Sequence, residues 1–390
     1  MSYNFSNCYD RRSEGSRKWE VIPDCQNCEE DQIAPMTVAD LDLPTAPEIK
    51  EEIKTYVEES VLGYSRPTEE YFKAVRDYMM KNYQYSPKEE WIVPTPGIVP
   101  ALAASVRAFS ERGEGVIVFS PVYNPFYEVV EEQGREILKC PLLEENQRYE
   151  INFELFEKLA KKKEARILIL CSPHNPSGRV WTETELRKIS EIAQENHLIV
   201  ISDEIHADMT LENHQHHLYA AISEEAAAHS LVCTSPSKSY NIAGLQNSNI
   251  FISERKLKEA FEKEMAKIGV NCPNVLGLKA TEAAYTKAEE WFDELMVLLN
   301  NNINKTVEYL EKIDSRFKVM RPDASFLVWV NIKDFNLSND EFMEKLRDKN
   351  IYLTNGNLYG EEGEGYIRIN IGMPTDILEA NLKRFEALEL

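Results

Sequence analysis

Between residues 115 and 252 one pattern repeats: a short β-branched apolar run, then an amphipathic stretch with helical spacing. The runs cover residues 115–119, 166–171, 198–202, 230–234 and 249–252. Runs this short and this uniformly apolar read as strands buried on both faces, with the intervening helices as their cover. Thr182, with Glu185 three residues later, forms a capping-box signature that opens a helix over 182–196. The pattern predicts an α/β fold with a mostly parallel central sheet flanked by helices. From about residue 288 it changes to a long charged helix, strands over 325–332 and 366–371, and a helix between them. That change predicts a smaller α+β domain built from 1–44 and 288–390 beside a large domain spanning 45–287. In the last strand Ile367, Ile369 and Ile371 alternate with Tyr366, Arg368 and Asn370, so Arg368 is expected on an exposed polar face.

Composition narrows the function classes. A chain of 390 residues with 43% hydrophobic content can bury cores of this size. Its 44 basic and 66 acidic residues leave a net charge of -22, which repels nucleic acid and anionic membranes, so neither is an expected partner. No apolar run approaches the roughly 20 residues that span a bilayer, and the polar N-terminus has no signal-peptide character. A cytoplasmic protein is expected. Seven cysteines, an odd number, suit reduced thiols. Cys25 and Cys28 lack the second ligand pair that zinc requires, and His214, His216 and His217 read as a solvated loop, so no metal site is expected.

Three strand ends carry the chemistry, because ligands of open parallel sheets sit beyond the carboxyl ends of the strands. Ser172-Pro173-His174-Asn175-Pro176-Ser177-Gly178 follows the first, Asp203-Glu204-Ile205-His206 the second, and Ser235-Pro236-Ser237-Lys238 the third. Taken singly, these are a turn, a helix cap and a solvated lysine. Together they supply an amide, a carboxylate and an amine, the set that a pyridine-aldehyde cofactor needs.

With Val38-Ala39-Asp40-Leu41-Asp42, Gly63-Tyr64-Ser65, Thr95-Pro96-Gly97-Ile98-Val99-Pro100 and Ser237-Lys238-Ser239-Tyr240-Asn241, these segments make the chain resemble the fold-type I pyridoxal 5'-phosphate (PLP) enzymes over essentially its whole length. Within that class I and II aminotransferase superfamily it is most similar to the cystathionine β-lyase or C-S lyase subfamily of cystalysin-like proteins. The resemblance implies the PLP-dependent transferase fold. Lys238 would carry PLP as a Schiff base, Asp203 would pair with the ring nitrogen, and Asn175 would donate to the phenolate oxygen. His206 stands where most aminotransferases have a tyrosine, and Tyr123 would stack on the ring. Gly97, Ile98 and Val99, at a helix start, would receive the phosphate, helped by Ser235 and Ser237. Tyr64 would reach it from the neighbouring subunit of a homodimer. Arg368, with Asn175, would hold the α-carboxylate of an amino-acid substrate.

The implied reaction is removal of the Cα proton by Lys238. With a thiolate leaving group on Cβ it becomes β-elimination from L-cystathionine or another cysteine S-conjugate, giving a thiol, pyruvate and ammonia. Return of the proton to the cofactor would instead make the protein an aminotransferase using a 2-oxo acid. A third reading is a PLP-bearing regulatory protein with residual lyase activity.

Overall fold

The computed structural model describes residues 3–7, 9–22, 34–211, 213–269 and 272–389. Cys25 and Cys28 lie outside them. The apolar runs become strands of one seven-stranded sheet: β1 (Ile92–Thr95), β2 (Gly115–Ser120), β3 (Glu136–Pro141), β4 (Ala165–Cys171), β5 (Ile199–Asp203), β6 (Ser230–Thr234) and β7 (Ser248–Phe251). Their spatial order is β1-β7-β6-β5-β4-β2-β3. β3, β2, β4, β5 and β6 run parallel, while β7 is antiparallel to both its neighbours. Every residue of β2 and β6 is buried, as a sheet covered on both faces requires. On one face lies α1 (Ile98–Phe109). On the other, α2 (Glu183–Glu195) begins with the expected capping box, Thr182 and Glu185 satisfying each other's backbone N–H groups.

A 25-residue helix, α3 (Glu289–Ile313), leads to a second sheet of β8 (Lys318–Met320), β9 (Leu327–Asn331), β10 (Thr354–Asn355) and β11 (Tyr366–Asn370), ordered β8-β9-β11-β10. Ile367 and Ile369 enter its core, and Trp329 stacks on Tyr366 with ring centroids 5.0 Å apart. The expected exposed face of β11 is not exposed. All five of its residues are buried, Arg368 at 4% exposure. The period of two separated the faces correctly, but the N-terminal segment and the loop after β4 cover the polar one.

That N-terminal segment is a strap. Asn370 Nδ2 donates to the carbonyls of Val38 (2.5 Å) and Asp40 (2.8 Å), and Asn241 Nδ2 to those of Leu41 (3.1 Å) and Leu43 (2.8 Å). Lys18, fully buried, bonds Asp42 Oδ2 at 2.5 Å. Removing either partner of such a buried pair leaves a lone charge and costs about 3–5 kcal/mol. The strap therefore has one fixed path across the ends of both sheets. Among the described residues no helix is long and apolar enough to cross a membrane.

Within the histidine stretch, residues 213–215 are exposed as a solvated loop would be, and His216 departs from that reading. His216 is buried with Nε2 2.5 Å from Glu204 Oε2, and His214 Nε2 lies 3.0 Å from Asp323 Oδ1. The buried Glu204 carboxylate draws the His216 ring inward, a pairing that local polarity does not reveal, while His214 stays exposed beside Asp323.

Candidate active site

The parallel register brings the three strand ends side by side. Cys171, Asp203 and Cys233 are Cα partners across β4, β5 and β6. Asn175, Asp203 and Lys238 thus emerge from adjacent strands, about 4.8 Å apart in the pairing direction, at one edge of the sheet. The loop carrying Asn175 is fixed from within and without. The Asn175 N–H donates to Cys171 Sγ at 3.3 Å, and Gly178, at φ +70°, accepts through its carbonyl from Asp323 and Ala324. A side chain at 178 would collide with Pro322 and the Ala324 carbonyl, so this backbone approach needs glycine.

Asp203 is buried, and Oδ1 of its carboxylate accepts the Ile205 N–H at 3.2 Å. Burial raises its pKa to about 7, the nearby Glu204 adding to the effect while Lys238 opposes it. Lys238 donates to the Ala39 carbonyl at 2.5 Å. Burial lowers its pKa to about 8, and Arg368 pushes the same way; Asp40 and Asp203 act against them. His206 is enclosed, held neutral with its pKa lowered by burial to about 3, and its Nδ1 has no partner among the described residues. Burial also raises the Tyr123 hydroxyl above its ordinary range, with Asp203 nearby. Arg368 reaches Asn175 Oδ1 (3.2 Å) and the Thr37 carbonyl (2.9 Å), with its guanidinium 5.3 Å from the centre of the Tyr359 ring; its Nε has no partner among the described residues.

The other expected contributors sit at the same edge or away from it. Gly97, at φ +104°, is the N-cap of α1, where no side chain caps the free N–H groups; Ile98 and Val99 form the first turn. Ser235 Oγ lies 2.7 Å from the Asn247 carbonyl and 2.7 Å from Ser237 Oγ, and accepts the Ser237 N–H at 3.1 Å. Tyr64 lies fully on the surface, in an exposed run with Val61 and Leu62. The strap's contribution has no side-chain signal: Ala39 and Thr37 act through carbonyls. Ala39 and Asp40 lie inside the Val38–Asp42 motif, Thr37 just before it.

The open valences match PLP group by group. The under-solvated Asp203 carboxylate suits a protonated ring nitrogen, the buried amine of Lys238 an aldehyde, the uncapped α1 terminus a phosphate, and the half-buried Tyr123 ring a stacked pyridine. The Arg368 fork, with Nε unpaired, suits a carboxylate.

Known proteins extend this picture. The family model described as "Aminotransferase class I and II" matches residues 32–385. Cystathionine beta-lyase PatB of Bacillus subtilis is 37% identical over 98% of this chain and 99% of its own length. Protein MalY of Escherichia coli is 28% identical over 97% and 96%. The crystal structure of cystalysin from Treponema denticola, which contains a pyridoxal 5'-phosphate cofactor, superposes with a TM-score of 0.97 at 34% identity, covering 100% of this chain and 99% of that one. The PLP-bound C-S lyase of Staphylococcus hominis does so with a TM-score of 0.91 at 28% identity, covering 100% and 99%. With the predicted fold and its strand-end residues in place, this chain belongs to the aminotransferase class I and II family.

Proposed function

We propose that this protein is a PLP-dependent C-S β-lyase acting on L-cystathionine or related cysteine S-conjugates. The observation that carries the reading is the juxtaposition of buried Lys238, Asp203, Asn175 and Arg368 in a chain that matches cystathionine β-lyase PatB end to end. The residues that move the proton serve transamination equally well, so the preference for elimination rests on the full-length similarity to proteins named as lyases.

When bound, PLP supplies an electrophilic aldehyde and a ring that accepts the electron pair left on the substrate Cα. Arg368 holds the α-carboxylate through its planar fork, with Asn175 fixing one of its nitrogens. Lys238, whose amine burial has made a weak enough base to be partly neutral near pH 8, takes the Cα proton. The Cβ–S bond then breaks and the thiolate leaves with its electron pair. With one water consumed, the products are a thiol, pyruvate and ammonium. Burial raises the Asp203 carboxyl to about 7, so a protonated ring nitrogen beside it would favour its charged form and be held by it, while Asn175 and the neutral His206 present polar atoms at the cleft.

A homodimer completes the site in this reading. Val57, Val61, Leu62 and Tyr64 are all exposed on the single chain, an apolar stretch that a second copy would cover. Tyr64 would reach the partner's cofactor phosphate from there.

The test is to incubate purified protein with L-cystathionine and no 2-oxo acid, following pyruvate and the cofactor absorbance, with Lys238→Ala as control. Sustained pyruvate release that disappears in the variant is expected. Conversion of the cofactor to its amine form without pyruvate would make the protein an aminotransferase.

A further inference from the structure

Between Met36 and Asp40 the carbonyls of the strap are allotted one by one to β11. Met36 accepts the Asn370 backbone N–H (3.1 Å), Thr37 accepts Arg368 Nη2 (2.9 Å), and Val38 and Asp40 accept the two N–H groups of Asn370 Nδ2 (2.5 and 2.8 Å). The Asp40 N–H also folds back to the Val38 carbonyl at 2.9 Å, making a tight turn centred on Ala39. The Ala39 carbonyl, between the two that Asn370 grips, turns away from β11 and accepts Lys238 Nζ at 2.5 Å.

Position 370 needs an amide for this. One nitrogen must supply two N–H groups while the oxygen accepts the Gly372 N–H at 2.8 Å, and a carboxylate has no N–H to give. Asn370 is fully buried, so each of these bonds replaces one that water would have made. Arg368 also holds the strap, at Thr37, but its fork is the group that takes the substrate carboxylate. Asn370 is therefore the β11 side chain that can keep residues 38–40 in place while substrate is bound. An amine that gives one N–H to a fixed carbonyl has the direction of its lone pair set by that bond, and the ammonium it becomes is held at the same spot.

We propose that Asn370 is a positioning residue for the Cα proton transfer: by gripping the carbonyls on either side of it, Asn370 sets the Ala39 carbonyl where it aims the amine of Lys238. The inference rests on the reading of Lys238 as the base, a step that β-elimination and transamination share. The charged groups around that amine are Asp40, Asp203 and Arg368, with the neutral His206 nearby, and Asp40 is itself paired with Arg11 and Lys18. Asn370→Ala removes none of these charges. A displaced strap withdraws the Ala39 carbonyl and the Asp40 carboxylate together, and both favour the ammonium form, so the amine titrates lower.

The test sets Asn370→Ala against Asn302→Ala. Asn302 is equally buried and grips the Ile371 and Met373 carbonyls (3.0 and 2.8 Å) just beyond β11, so its loss costs similar packing away from Lys238. The first readout is exchange of the Cα hydrogen of L-alanine for solvent deuterium by the holoenzyme; L-alanine has no leaving group on Cβ, so the exchange reports proton transfer alone. It is expected to slow about tenfold or more in Asn370→Ala. The second is competitive acetylation of Lys238 in the cofactor-free protein across a pH series, read by mass spectrometry, where the midpoint is expected to fall by about one unit, the scale of a lost charged hydrogen bond. Asn302→Ala should keep both values. Asn370→Ser, with one donor left, should fall between and keeps the test decisive if the alanine variant does not fold. Wild-type exchange and titration in the folded Asn370 variants, or the same losses in Asn302→Ala, would reduce Asn370 to a structural residue. Absence of exchange in the wild type would sink Lys238 as the base and this inference with it, whereas exchange without β-elimination would overturn the lyase reading and leave the inference standing.

Discussion

Arg368 Nη1 donates to Asn175 Oδ1 across 3.2 Å, tying the last strand of the small sheet to the loop that follows β4 of the large one. The arginine therefore arrives at the site already oriented, by a side chain that itself belongs to the site. Asn175→Ala removes that partner and leaves a buried guanidinium N–H unsatisfied. We expect KM for an S-substituted cysteine to rise and kcat/KM to fall about tenfold or more. Arg368→Lys keeps the charge but loses the fork, and a fall of similar or larger size is expected. Steady-state kinetics decide; a change within twofold for both variants would remove Arg368 from carboxylate binding.

The pKa of Asp203 makes the cofactor-free protein pH-sensitive in a defined direction. Its folded-state value of about 7 lies above the ordinary 3.8 because burial disfavours the charged form. The folded chain thus holds a proton that the unfolded chain releases. Stability from this group is fully present below about pH 4, is lost as pH rises, and levels off above about pH 7. The upper bound is about 4 kcal/mol. Denaturant midpoints measured between pH 4 and 8 on the cofactor-free protein should show this decline, and Asp203→Asn should lack that part of it. Bound PLP, with a protonated ring nitrogen, should flatten the slope in the wild type.

Gly97 places its backbone at φ +104° with open space around it; the nearest atom to an added Cβ is Pro100 Cδ at 3.8 Å. Gly97→Ala is therefore opposed by backbone strain, of about 1–3 kcal/mol, rather than by collision. Relief of that strain would turn the α1 N–H groups away from the phosphate. Dialysis against buffer without PLP should strip the variant of cofactor faster than the wild type, and its melting temperature as holoenzyme in excess PLP should fall by a few degrees, roughly what that strain implies.

Tyr64 is too exposed on the single chain to serve its own site. If it serves a partner's, the inactive variants Lys238→Ala and Tyr64→Ala should complement each other. Dissociated, mixed in equal amounts and reassociated, they should recover about a quarter of wild-type activity, because half of the dimers are hybrids and each hybrid has one intact site. Absence of recovery in verified hybrids would mean that Tyr64 serves the site of its own chain, and a Tyr64→Ala homodimer of wild-type activity would place Tyr64 outside the catalytic unit.

The alternation of apolar runs and helical stretches located every strand it named in the large sheet to within a residue or two, because burial on both faces leaves only apolar, β-branched residues acceptable there. Thr182 and Glu185 likewise fixed the start of α2 through a purely local exchange of hydrogen bonds. Chemistry at strand ends was legible for the same reason. Asp203 ends one strand, Asn175 and Lys238 each lie four residues beyond the ends of its two neighbours, and parallel pairing then brings the three together.

What local sequence left undetermined depends on groups far apart in the chain. The polar face of β11 became interior because residues 37–40 cross it, held by Asn370, and His216 turned inward because Glu204 had to be satisfied. The Ala39 and Thr37 carbonyls at Lys238 and Arg368 have no residue-type signature at all, since any amino acid supplies a carbonyl. Which side chains could do the chemistry, and on which elements they ride, follows from residue order and patterning. How deeply each is buried and what faces it follows from packing between distant segments, and that packing raises Asp203 to about 7 and lowers Lys238 to about 8, because desolvation and charge proximity are properties of the assembled surroundings.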